Sequence, residues 1–256
     1  MIKFFRLIRK EMLTENKFTR YLLYASGEII LVVIGILIAL QVNNWNEQRK
    51  QRVRELHYLT NLKSDLILNI AEIDKYITTR TSRTASAYYV LDYFEGKPLT
   101  DLNEFNKQSV NVYTWQKFFQ IDNTFQELTN SGNLSILSND SIKSGFLNLE
   151  TLYKKLKYEE EHFRYDSEVM LYEPHYAIAD INAVVKNYMY QVTNGQQGEN
   201  VELSKADFEE LLKNRKHKNG FAMATYEFPF MNSELEEMKV LCNRIIVWID
   251  QELAKG

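Results

Sequence analysis

The sequence predicts an all-α protein: an N-terminal interfacial helix, one transmembrane helix continuing into a long helix, and a helical-bundle extracytoplasmic domain. Three observations predict it. Residues 21–45, YLLYASGEIILVVIGILIALQVNNW, contain a run from Ile29 to Leu40 in which every residue is apolar or glycine. Only nine glycines and three prolines occur in 256 residues, and none of either lies between Gly35 and Gly96, so little there interrupts a helix. The apolar residues that follow recur at spacings of three and four, the period of a helix with one buried face.

Residues 1–13, MIKFFRLIRKEML, set Phe4, Phe5, Ile8 and Met12 on one face and Lys3, Arg6 and Lys10 elsewhere, the pattern of a helix lying in a membrane interface. Residues 1–20 form a cytoplasmic amphipathic segment with no room for an output domain. The run Ile29–Leu40 alone is shorter than the about 20 residues that cross a hydrocarbon core of ~30 Å. From Tyr21 to Val42 there are 22 residues, about 33 Å of helix at ~1.5 Å each, which is enough. Tyr21 and Tyr24 stand at one end and Trp45 at the other, where aromatic rings meet headgroups. A buried core helix would not call for such flanks. A cleaved signal peptide would need small residues after the apolar run, where IALQVNNW stands instead. Residues 21–45 therefore read as an uncleaved signal-anchor.

Six cations precede this segment (Lys3, Arg6, Arg9, Lys10, Lys17, Arg20) and four follow it (Arg49, Lys50, Arg52, Arg54). The positive-inside bias places the N-terminus in the cytoplasm and residues 46–256 on the far side. Within the span, Gly27, Gly35 and Ala39 recur at spacings of eight and four, on one face. Small residues so placed allow close helix–helix approach, although they are also common in membrane helices at large. Glu28 is a carboxylate about two turns into the span. It calls either for a partner, such as Tyr24 or a group on a neighbouring chain, or for hydration at the headgroups. Gly27, Glu28, Gly35 and Ala39 are the candidate membrane-helix interface.

Leu59, Leu62, Leu66, Ile70, Ile73 and Ile77 form the next stripe, on one helix running from the membrane to about residue 80 or 94. Too few clean heptads are present for a coiled coil, so the stripe packs on its own domain. Glu95-Gly96-Lys97-Pro98 is a turn. Short helices follow over 101–111 and 121–130, separated by an aromatic stretch. Gly132 stands where a helix C-terminal cap belongs, and Asn139 or Asp140 can N-cap the next helix, which Pro174 stops near Tyr172. A helix over 175–191, one opened by Ser204 and Asp207 and running to 216, a loop at 216–220, and a terminal helix over 233–254 complete the body. Its inward residues are Leu235, Met238, Leu241, Ile245, Trp248 and Ile249.

Residues 1–54 carry ten Lys/Arg against four Asp/Glu, a net +6; the whole chain carries −3, which leaves −9 for residues 55–256. A basic end at a bilayer and an acidic body fit attachment to anionic lipid and exclude a nucleic-acid-binding body. The one cysteine, Cys242, rules out an internal disulfide and a zinc cluster, and its neighbours mark it as a small buried apolar residue. The histidines are His57, His162, His175 and His217. Glu159–His162 holds a single Glu-x-x-His, where a di-iron bundle needs two, and Glu159–Glu161 reads as a solvated helix face. Glu173 and His175 flank Pro174 and read as a turn. Tyr88, Tyr89, Tyr93, Phe94, Trp115, Phe118, Phe119 and Phe125 have core-like helical spacing, although they could also line a groove. The sequence contains no H-E-x-x-H, G-x-S-x-G, P-loop or dinucleotide fingerprint. No catalytic, cofactor or metal residues are assigned.

The block MIKFFRLIRKEMLTENKFTRYLLYASGEI running into LVVIGILIALQVNNWNE, together with SGNLSIL at 131–137, resembles an uncharacterised bacterial family of single-span membrane proteins. The resemblance implies an inner-membrane protein with a helical extracytoplasmic domain, and it supplies no catalytic residue. The expected function is a non-enzymatic, membrane-anchored interaction or assembly protein of the bacterial cell envelope that associates through its membrane helix. Its expected partners are the lipid bilayer and either a second copy or another envelope protein. The alternative is a periplasmic ligand-binding sensor acting through a partner protein, its small-molecule ligand open.

Overall fold

The computed structural model describes residues 18–255, with side chains from Leu22 onward. The helix expected over 1–13 lies outside the described residues. The described chain is helical with connecting turns and contains no strand. It divides between Leu56 and His57 into two compact units.

α1 runs unbroken from Phe18 to Phe94, matching the absence of glycine and proline after Gly35. In the first unit every side chain from Ile29 to Val42 is exposed. This end of α1 is long and apolar enough to cross a membrane, and none of its most apolar stretch is buried.

In the second unit the expected stripe is the core. Leu59, Leu62, Leu66 and Ile73 are buried, with Ile70 and Ile77 packed beside them. α2 (Leu102–Tyr113) opens on Asp101, whose side chain accepts from the Glu104 N–H. α3 (Asn123–Asn130) ends at Gly132, which adopts the left-handed conformation at φ 70°. α4 (Asp140–Ser167) opens on Asn139, whose side chain accepts from the N–H groups of Ser141 and Ile142. α7 (Lys205–Leu211) opens on Ser204, which accepts from the Asp207 N–H. These caps satisfy amide donors that have no partner within the helix.

Four boundaries differ from expectation, the plainest being α7, expected to run to 216 and ending at Leu211. Pro174 does not stop the helix near Tyr172. A π turn over Glu168–Tyr172 leads into α5 (Glu173–Ile178), with Pro174 in its first turn, where a missing N–H costs little. The segment expected as one helix over 175–191 breaks at Asp180, which caps α6 (Ile181–Val192). The loop expected at 216–220 is instead the start of α8 (Arg215–Leu253), capped by Asn214 and containing Pro229. Gly220 serves close packing there: a Cβ would lie 2.5 Å from Leu171 Cδ2. Pro229 costs one backbone hydrogen bond on an exposed position, flanked by the fully buried Phe228 and Met231.

α4 and α8 run antiparallel. The Phe163 and Phe228 ring centroids are 4.9 Å apart, Lys155 pairs with Glu234 at 2.7 Å, and Gly145 abuts Ile245. The inward residues expected on the terminal helix lie here: Leu235, Met238, Ile245 and Ile249 are buried and Leu241 and Trp248 partly so.

The turn after α6 depends on Gly198, at φ 77°. A Cβ there would lie 2.3 Å from the Lys186 carbonyl oxygen and 2.7 Å from the Tyr190 nitrogen, both backbone atoms. Gly198→Ala adds this clash to the ~1–2 kcal/mol cost of a left-handed L-residue. Its thermal midpoint is expected to fall by at least about 4 °C, and an unchanged midpoint would show that the turn adopts another conformation.

Candidate functional site

Of the candidate membrane-helix residues, Gly27 is half-buried and Glu28, Gly35 and Ala39 are exposed. No side-chain or distant backbone atom comes within 4 Å of a Cβ built on Gly27 or Gly35. The two glycines are open to a neighbour along α1.

The polar residues of the second unit converge in its interior. The segment between α2 and α3 is irregular, so its backbone N–H and C=O groups need partners other than a helix ladder. α1 supplies them from one row at helical spacing. Asp65 accepts from the Thr124 N–H at 3.1 Å. Asn69 donates to the Ile121 carbonyl at 2.6 Å and accepts from its N–H at 2.7 Å. Tyr76 donates to the Lys117 carbonyl at 2.8 Å. Arg80 donates to the Gln116 carbonyl at 3.3 Å, and Arg83 to Asn111 at 3.2 Å and Thr114 at 2.5 Å. The aromatic stretch is thereby held along α1, with Phe118 and Phe125 buried and Phe119 67 % exposed.

Glu160 reaches this row from α4. Its carboxylate accepts from the Arg80 guanidinium and from the Phe118 N–H at 2.8 Å. Both charged side chains are fully buried. The expectation of a solvated face over Glu159–Glu161 is therefore wrong at its centre: Glu161 is exposed, and Glu160 points into the core. Burial pushes the Glu160 carboxyl up, and Arg80 and the Phe118 N–H pull it back. Burial likewise lowers the Arg80 pKa, and Glu160 opposes that shift.

A second buried group links α2, α5 and α8. The Tyr113 hydroxyl lies 2.9 Å from His175 Nδ1 and 3.0 Å from His217 Nε2, and all three residues are buried. Burial lowers His175 to about 4. Burial and then the neighbouring His175 lower His217 to about 3, with the Met170 carbonyl opposing. Both imidazoles are neutral near pH 7. Tyr113 has one proton for two ring nitrogens, so one histidine must donate to it and the other must accept. Pro174 brings no N–H to the Met170 carbonyl four residues earlier, and that oxygen acts on His217. The contact is loose, since His217 Nδ1 makes no hydrogen bond of good geometry. We assign His217 the Nδ1–H form, accepting at Nε2 from Tyr113, with His175 Nδ1–H donating to the Tyr113 oxygen. His175 Nε2 then has no partner among the described residues.

Cys242 is fully buried and burial pushes its thiol up to about 12, so it is not a thiolate. Among the described residues no group of three or more His, Cys, Asp and Glu is placed to hold a metal ion. Reading the sequence alone missed the Arg80–Glu160 pair and the Tyr113–His175–His217 group. The one available signal was the helical spacing of Asn69, Tyr76, Arg80 and Arg83 beside an apolar stripe.

A sequence model of a family of unknown function (DUF6090) matches residues 28–173. No curated protein and no solved structure matches the chain.

Proposed function

The chain belongs to DUF6090, a family of unknown function, and from that premise we propose that it is a non-enzymatic, membrane-anchored interaction or assembly protein of the bacterial cell envelope. Its N-terminus lies in the cytoplasm and its helical body in the periplasm, and it associates through α1 with a second copy or another envelope protein. The observation that carries this reading is the apolar run Ile29–Leu40, exposed at every residue. So long an apolar surface requires a bilayer or a partner around it. The open positions at Gly27 and Gly35 suit close approach of another helix. In the body, Glu160, His175 and His217, buried groups with shifted pKa values, are occupied in holding buried segments together, which favours a rigid module over a reaction centre.

The test is retention in the membrane after alkaline carbonate washing, followed by purification in mild detergent and measurement of particle mass. The protein is expected to stay in the membrane and to purify as a multiple of 30.3 kDa or with a stoichiometric second protein. A monomer without a partner would sink the interaction role. If Glu28→Leu and Gly35→Leu leave the particle unchanged, the membrane-helix interface is wrong.

A further inference from the structure

Just past the apolar run, α1 is cationic along one stripe. Asn46, Arg49, Lys50, Val53 and Arg54 lie together on the surface, at spacings that place them on a single helix face. Followed back, the same face passes Val42, Ala39 and Gly35. Lys50 is shared with Glu47 at 2.9 Å. On the opposite side Arg52 pairs with Glu55 at 2.7 Å. Arg49 and Arg54 have no carboxylate at ion-pair distance among the described residues, and Arg54 acts on Glu47 only through space.

We propose that this stripe binds the phosphate groups of anionic phospholipids in the leaflet next to residues 46–54. Trp45, 63 % exposed, marks the edge of the hydrocarbon. Arg49 lies about 6 Å and Arg54 about 14 Å further along the helix, and the headgroup layer is roughly 5–8 Å deep. Arg49 and Lys50 are level with the phosphates, and Arg54 reaches back on its long side chain. The stripe is continuous with the lipid-facing surface, and its charge is opposite to that of the headgroups. A second copy does not fit the cationic part of this face at residues 46–54, whatever meets α1 further back at Gly35. Parallel packing through Gly35 and Ala39 would set Arg49 and Arg54 against their own counterparts.

The inference rests on the membrane-anchor reading. Full-length protein is first checked for retention after carbonate washing, and release there overturns the anchor itself. Retained protein in an uncharged detergent is then titrated with phosphatidylglycerol or phosphatidylcholine of matched acyl chains, and bound lipids are counted by native mass spectrometry. Phosphatidylglycerol is expected to bind preferentially. Arg49→Gln/Arg54→Gln is expected to lower that preference roughly twenty-fivefold, about fivefold per arginine. Lys154→Gln/Lys205→Gln, on exposed positions of the body, is expected to leave it unchanged. Equal binding of the two lipids, or equal loss in both double variants, overturns the proposal. So does a dimer held together at Arg49 and Arg54, or an acidic protein bound there in place of lipid, if the arginine substitutions release it.

Discussion

Arg80→Ala is expected to lower the stability of the body by about 3–5 kcal/mol, because it leaves Glu160 buried without its counter-charge. Glu160 is inaccessible to solvent and accepts from the Phe118 N–H as well as from Arg80. Losing the guanidinium also strands the Gln116 carbonyl. For a body of this size the thermal midpoint should drop by roughly 10–15 °C, measured by circular dichroism on full-length protein in detergent. Glu160→Leu should cost about as much through the orphaned guanidinium. The double substitution Arg80→Met/Glu160→Leu should recover most of the loss, since apolar residues of similar size often replace a buried pair without penalty. If Arg80→Ala changes the midpoint by less than about 2 °C, the pair is not buried as described.

The second large effect is on pH dependence. Unfolded histidine titrates near 6.5, whereas His175 and His217 stay neutral in the folded protein down to about 4 and about 3. As pH falls below 6.5 the unfolded chain takes up two protons that the folded one refuses. Stability present above pH 6.5 is therefore lost progressively toward pH 4. By pH 5 the loss amounts to about 2 kcal/mol per histidine, or about 4 kcal/mol together. Burial also raises the carboxyls of Glu160 and Glu227. They work in the opposite sense, at the acid end, as the folded state gains their protons first. The thermal midpoint should fall by roughly 10 °C between pH 7 and pH 5. His175→Asn/His217→Gln places amides near the positions of Nδ1 and Nε2 and removes both titrations. It should flatten the profile whatever it does to stability at pH 7. A wild-type midpoint that stays constant over this range would mean the imidazoles reach water.

What the sequence made legible was whatever is local. The stripe from Leu59 to Ile77, the caps at Asn139 and Ser204 and the left-handed Gly132 all announce themselves within a few residues. Pro174 misled, and the terminal helix starts well before 233 and runs through Pro229, because proline stops a helix only where nothing else compensates. Here a π turn accommodates the first, and buried Phe228 and Met231 hold the helix through the second. Glu160 looked solvated because its neighbours are charged, and its partner stands 80 residues earlier in the chain. Tyr113 and His217 are 104 residues apart, and His175 is 62 from Tyr113. No window along the sequence contains such a contact. The membrane-helix positions Gly27, Glu28, Gly35 and Ala39 were legible only as a pattern, since no described residue packs against Gly27 or Gly35.

Those same separations impose an order of events in time. Arg80 is synthesised well before Glu160, and Tyr113 well before His217, so the first centre can close only once α4 has emerged and the second only once α8 has begun. Until α4 emerges the guanidinium is hydrated and the irregular segment can find only its α1 partners. Closing loops of 80 and 104 residues comes late and is entropically slow. A chain cut short before α8 would leave Phe163 without Phe228 and Tyr113 without His217, a sticky apolar surface. Completion of the last helix is thus the step that commits the body to its final structure, and a truncated product carries the exposed surface by which quality control can tell it apart.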